Sequence, residues 1–202
     1  EFYDLTLRVD KNTLIPRQET EELVDWIIHN TQKHPAKILD IGTGTGCIAI
    51  ALARNLPHCQ VKALDDQEAI IKKARENARL NKVKVDFFCL DILQYALPES
   101  FDVIVSNPPY VLESEKKMMH QNVLEHEPVN ALFVPDSDPL LYYKRILELA
   151  RTHLASKGMI YFEINEHFGQ EIAQLLTRNG FDDIQLKNDI NDKPRMIKGT
   201  YK

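Results

Sequence analysis

Apolar positions along this chain fall into two alternating rhythms. Short continuous runs bounded by turn residues read as buried strands, and apolar residues three or four apart read as one face of a helix. Leu5 to Val9 alternates apolar and polar, which predicts a short edge strand. Thr20 to Thr31 carries Leu23, Trp26, Ile27 and Asn30 at helical spacing and is closed by Pro35. Strands are predicted at Lys37 to Ile41, Gln60 to Leu64, Lys84 to Leu90 and Phe101 to Ser106, with helices at Cys47 to Asn55 and Glu68 to Leu80. A helix at Leu140 to Ala155, a strand at Met159 to Ile164 and a helix at Phe168 to Asn179 follow. Two late strands near Asp183 to Asn188 and Arg195 to Gly199 have no helix between them, so they are expected to form an antiparallel hairpin. The class is α/β, a mostly parallel sheet built from βαβ units in one domain spanning 1–202, with 1–35 as lead-in.

One stretch breaks the rhythm. Asn107 to Pro139 is 33 residues with five prolines and little periodicity. So long a loop is usually functional, and its apolar residues Val123, Leu124, Leu132 and Phe133 predict an ordered lid or substrate loop.

Composition changes this picture in two places. Glycine is scarce, seven in 202 residues, yet three fall within five positions at Gly42, Gly44 and Gly46. The net charge of −5 disfavours a nucleic-acid partner. The cations Lys72, Lys73, Arg75, Arg79, Lys82 and Lys84 are expected to form a solvated helix face. Cys47, Cys59 and Cys89 form no pair with metal or disulfide spacing and read as small core residues of a protein in the reducing cytoplasm. No apolar stretch has membrane-spanning length.

Asp40-Ile41-Gly42-Thr43-Gly44-Thr45-Gly46 joins a strand to a helix. Such a turn brings backbone close to a ligand and leaves N–H groups free at a helix start. The GxGxG spacing is neither the dinucleotide fingerprint nor a P-loop, which needs a Lys. Asp65 closes the next strand and can accept both hydroxyls of a ribose, while Asp91 closes the third, near an adenine edge. Together with Asp40, these carboxylates would repel a pyrophosphate and suit a cationic nucleoside. S-adenosylmethionine, with its sulfonium and ammonium groups, is such a ligand.

Asn107-Pro108-Pro109-Tyr110 follows the fourth strand directly. The prolines stiffen the backbone and remove two N–H donors. The Pro108 carbonyl and the Asn107 side-chain oxygen are then two fixed acceptors for the hydrogens of a planar NH₂ group, with Tyr110 packing on it. An amide nitrogen is a poor nucleophile, so gripping both hydrogens aims its lone pair at a methyl donor.

These features resemble the seven-stranded, Rossmann-like methyltransferases that use S-adenosylmethionine. Three more segments narrow the likeness. Leu14-Ile15-Pro16-Arg17-Gln18-Glu19-Thr20-Glu21, then Glu125-His126-Glu127-Pro128 with Ala131-Leu132-Phe133, and finally Glu163-Ile164 with Asp189 and Arg195 resemble signatures of the HemK-like protein-(glutamine-N5) methyltransferases. The resemblance implies methylation of the glutamine in the Gly-Gly-Gln motif of peptide-chain release factors. It implies cofactor contacts from Asp40, Gly42, Thr43, Gly44, Thr45, Gly46, Asp65, Asp91, Ile92 and Asn107. Asn107, Pro108, Pro109 and Tyr110 would hold the substrate amide, with Asn107, Pro108 and Tyr110 catalytic. The family carries an N-terminal helical domain that this sequence lacks; with no initiator Met, the chain is expected to be cut from something longer. Gln18, Leu90 and the loop Val134 to Asp138 depart from the family pattern.

Other chemistry finds little support. Glu125-His126-Glu127 is not a zinc motif and no metal is expected. There is no nucleophile triad, and Trp26 is expected in the core. Arg17 and Glu19 are either an ion pair or the frame of the cofactor entrance. A monomer is expected. The rival readings are a nucleic-acid exocyclic-amine methyltransferase and a non-catalytic cofactor-binding module.

Overall fold

A computed structural model of the chain describes residues 1–10, 12–32, 34–118, 128 and 132–202. After α1 (Gln18–Thr31) the elements alternate: β1 (Lys37–Ile41), α2 (Cys47–Asn55), β2 (Gln60–Asp65), α3 (Glu68–Leu80), β3 (Asp86–Cys89) and β4 (Phe101–Ser106). The long loop holds two short strands, β5 (Val111–Leu112) and β6 (Phe133–Val134), paired in parallel, with a 3₁₀ turn at Glu113–Met118. Then come α4 (Leu141–His153), β7 (Leu154–Glu163), α5 (Gly169–Arg178), β8 (Phe181–Asn188) and β9 (Pro194–Tyr201). The main sheet has seven strands in the order β3-β2-β1-β4-β7-β9-β8. Its first five are parallel, and β9 runs antiparallel to both β7 and β8.

The strands read as continuous apolar runs because both faces are covered. Successive residues alternate between two cores: Ile38, Val103, Val105 and Tyr161 pack with α1, α2 and α3, while Leu39, Ile104, Ile160 and Phe162 pack with α4 and α5. Trp26 sits in the first core, edge-on to Tyr161 at 5.5 Å between ring centroids. The chain runs outward from β1 through β2 to β3, then returns to β4 on the other side of β1. That reversal opens a crevice at the carboxyl ends of β1 and β4, where open α/β sheets bind ligands.

The structure corrects several expectations. Leu5 to Val9 is not a strand; among the described residues it makes an isolated bridge at Leu5, with Phe2. Asparagine side chains on α3 and at its C-terminal end satisfy its backbone instead. Arg8 N donates to Asn77 Oδ1 at 2.8 Å and Thr6 N to Asn81 Oδ1 at 3.2 Å. Their amide nitrogens return hydrogen bonds to the Arg8 and Thr6 carbonyls. The third strand is trimmed to Asp86–Cys89, and β7 starts at Leu154, inside the stretch expected to finish the preceding helix. Lys157, in the left-handed region at φ 62°, and a register shift against β4 let β7 begin early and irregularly. Cys47 is buried, but Cys59 is half-buried and Cys89 exposed, so only one of the three is a core residue. The α3 cations are partly engaged: Lys73 bridges Asp10 and Glu76, and Arg75 donates to the Phe87 carbonyl at 2.8 Å. No helix among the described residues is long and apolar enough to cross a membrane.

Candidate functional site

The turn after β1 is built by three left-handed glycines, at φ 72° for Gly42, 55° for Gly44 and 83° for Gly46. Only glycine adopts these values without strain. Each does a different job. A Cβ on Gly42 or Gly44 would meet nothing within 4 Å, so both face open space, whereas one on Gly46 would press on Ile50 and Ala74. Gly42 N and Thr43 N both donate to the Leu64 carbonyl, which pins the turn to the tip of β2. Gly44 N donates to Asp65 Oδ2 at 3.0 Å.

Gly42, Gly44, Asp65, Asp91, Ile92, Asn107, Pro108 and Pro109 line one cleft. The sequence reading missed several of its walls. Asn12, Thr13 and Leu14 form one side, and Asp66, Gln67, Ile70, Leu90, Leu93, Ser106, Tyr142 and Ile146 add to it. Leu14 opens the Pro-Arg-Gln-Glu segment, which was the available signal for that side. Tyr142 and Ile146 come from α4, whose helical spacing carried no chemical signal.

Asp40, Thr43, Thr45 and Gly46, expected to touch cofactor, are buried and do not themselves line this cleft. Asp40 accepts the Thr43 hydroxyl at 2.6 Å and braces the turn from behind. Burial pushes its carboxyl up to about 7, although the Thr43 hydroxyl and the Ala49 amide favour the ionised form. Burial likewise pushes Asp65 up to about 7; the Gly44 N–H opposes this and the neighbouring Asp66 adds to it. Asp91 lines the cleft with both oxygens already engaged, by the Leu93 amide at 2.8 Å and the Gln94 side chain at 2.6 Å.

Tyr110 does not present its ring to the cleft. Its hydroxyl turns inward and donates to Glu163 Oε1 at 3.0 Å, while its carbonyl accepts from Asn165 Nδ2 at 3.2 Å. Burial, and then the charge of Glu163, hold that hydroxyl well above the ordinary tyrosine range. Glu163 and Arg195 both act on the Tyr110 hydroxyl, and Arg195 is held by Asp189 at 3.0 Å and the Ile164 carbonyl at 3.2 Å. Glu19 and Glu22 face the loop after β8, accepting from the Asn191 side chain and the Ile190 amide. Burial pushes the Cys47 thiol up to about 12, so it offers no nucleophile. Among the described residues no group of three His, Cys, Asp or Glu is arranged to hold a metal ion. Residues 119–127 and 129–131, which include Val123, Leu124, Glu125, His126, Glu127 and Ala131, lie outside the described residues; Pro128 lines the cleft.

A glycine turn open to ligand, a carboxylate at the end of the next strand and an Asn-Pro-Pro-Tyr turn beside them are the site of an S-adenosylmethionine-dependent methyltransferase, the class the comparisons show. Residues 19–132 match the family described as "Methyltransferase small domain". A methyltransferase from Pyrococcus furiosus superposes with a TM-score of 0.71 at 17% identity, covering 97% of this chain and 88% of that one, which speaks for the fold. A release factor glutamine methyltransferase of Flavobacterium psychrophilum is 50% identical over 100% of this chain and 73% of its own length. One of Bacteroides thetaiotaomicron is 45% identical over 98% of this chain and 71% of its own. The chain belongs to the release factor glutamine methyltransferase family.

Proposed function

We propose that this chain methylates the side-chain amide nitrogen of the glutamine in the Gly-Gly-Gln motif of a peptide-chain release factor, using S-adenosylmethionine. The observation that carries this reading is the junction of two turns on adjacent strands. Gly42 and Gly44 line one side of the cleft and Asn107, Pro108 and Pro109 the other, with Ser106 Oγ donating to the Ile41 carbonyl at 2.7 Å between them. The residues present fit the cofactor. The open space at Gly42 and Gly44 admits the methionine end, Asp65 takes the ribose hydroxyls, and Leu64, Ile70 and Ile92 offer an apolar slot for the base.

When bound, S-adenosylmethionine supplies a methyl group on a cationic sulfur, which keeps the electron pair of the broken bond and leaves as S-adenosylhomocysteine. The protein's part is placement. Asn107 and the Pro108 carbonyl accept the two amide hydrogens of the glutamine, which turns the nitrogen lone pair toward the donor methyl. The nitrogen gains the methyl and releases one proton to water. No covalent enzyme intermediate is needed. The acidic net charge of −5 supports a protein substrate over a nucleic acid, and the reading takes the working unit as a cytoplasmic monomer.

A labelled methyl-transfer assay tests it, with release factor, release factor carrying Gly-Gly-Ala, and DNA or RNA as acceptors. Label is expected on the Gly-Gly-Gln protein alone. Label confined to nucleic acid, or equal label on the Gly-Gly-Ala protein, would refute the reading.

A further inference from the structure

Beneath Asn107 lies a buried polar chain that the proposed chemistry does not use. Glu163, at the carboxyl end of β7, is 1% exposed. Two hydroxyls converge on its carboxylate: Thr20 donates to Oε2 at 2.6 Å and Tyr110 to Oε1 at 3.0 Å. Tyr143 donates to its backbone carbonyl at 3.0 Å, and Arg195 beside Tyr110 supplies positive charge. Burial raises the Glu163 pKa, while the two hydroxyls and Arg195 favour the ionised form.

The consequence follows from proton counting. A threonine hydroxyl has one proton to give, and here Thr20 gives it to Glu163 Oε2. The short contact to Glu163 uses that proton, so toward any other neighbour Thr20 can only accept. Asn107 Nδ2 lies 3.5 Å from Thr20 Oγ1, a long hydrogen bond of the kind that tightens once substrate is in place. Turning the amide over would set its oxygen against a Thr20 lone pair.

We propose that Thr20 and Glu163 are positioning residues that hold the Asn107 amide in one orientation, nitrogen toward Thr20 and oxygen toward the substrate. The inference rests on the reading of Asn107 as the acceptor for the glutamine N–H. A flipped Asn107 would offer its own N–H groups to the substrate nitrogen, donor against donor. Glu163→Gln permits that flip, because a carboxamide can donate to Thr20 and free the hydroxyl to donate to Asn107.

The test uses the whole enzyme with release factor, measuring kcat, KM, melting temperature and cofactor affinity by calorimetry. Thr20→Val and Glu163→Gln are expected to lower kcat by about ten- to a hundredfold, as misplacement of a reacting group does, with cofactor affinity within about twofold of wild type. Thr20→Ser, which keeps the hydroxyl, should recover kcat to within a few-fold. Should Glu163→Gln fail to fold, the Val and Ser pair at Thr20 still decides. Wild-type kcat in Thr20→Val, failure of Ser to rescue, or equal losses of kcat and cofactor affinity would each overturn the inference. Asn107→Ala separates the two levels. If it leaves transfer intact, the parent reading falls; if it abolishes transfer while Thr20→Val is silent, only the positioning role falls.

Discussion

The two turns at the cleft are opposites in backbone chemistry. After β1, glycines at Gly42 and Gly44 bring the backbone close and keep every N–H, and the Gly44 N–H is already committed to Asp65. After β4, Pro108 and Pro109 delete N–H groups and leave only acceptors beside Asn107. A ribose and a cation need carboxylates and close backbone, whereas an amide NH₂ needs acceptors alone. The difference teaches that one crevice is walled by two kinds of backbone, one turn whose N–H groups are spent on β2 and one turn that has only acceptors to offer.

Breaking the acceptor turn should give the largest effect. Asn107→Ala is expected to lower kcat by about a hundredfold or more, the scale of losing one preorganised polar partner. Cofactor affinity, read by calorimetry, should stay within a few-fold; equal loss of both would merge the two turns into one function. Gly44→Ala should do the reverse. A Cβ at φ 55° costs roughly 1–2 kcal/mol of stability, and it would project into the open space assigned to the cofactor, so cofactor affinity should fall about tenfold while saturated kcat changes little.

The pH dependence sharpens the same contrast. On the proposed reading ribose hydroxyls donate to an ionised Asp65, whose pKa in the ligand-free protein is about 7. Cofactor affinity should therefore fall about tenfold between pH 8 and pH 6, and an Asp65→Asn variant should show a flat profile. The ligand-free fold runs the other way. Folded values of about 7 for Asp40 and Asp65 lie above the unfolded value of 3.8, so their stabilising contribution is fully present below about pH 4 and lost as pH rises through 7. Melting curves across that range check it. The smallest effect is expected from Pro109→Ala, which restores one N–H and some backbone freedom at the acceptor turn: about a two- to threefold loss in kcat.

Much of this was legible because it is local. Lys37 to Ile41, Cys47 to Asn55, Glu68 to Leu80 and Phe101 to Ser106 are bounded by turn residues, and their predicted limits coincide with the elements observed. The glycine and proline turns announce themselves because their backbone geometry admits few other residues. What stayed hidden depends on side chains meeting across the fold. Leu5 to Val9 alternates like a strand, yet its partners are Asn77 and Asn81, about seventy positions later. Asp40 shared the turn's sequence with true cleft residues but falls on the opposite strand face from Leu39 and Ile41 and does not line the cleft. Tyr110 looked like a stacking ring until Glu163, from β7, gave its hydroxyl somewhere to go.

Asn77 holds more than the lead-in. Its amide nitrogen serves two carbonyls, Arg8 at 3.0 Å and Thr45 at 2.9 Å, while its oxygen takes the Arg8 amide. The segment that runs on into Asn12, Thr13 and Leu14 and the glycine turn thus hang from one buried bracket. In an engineer's terms this is a shared joint, set outside the cleft lining. Damage there would loosen the doorway and the seat at once.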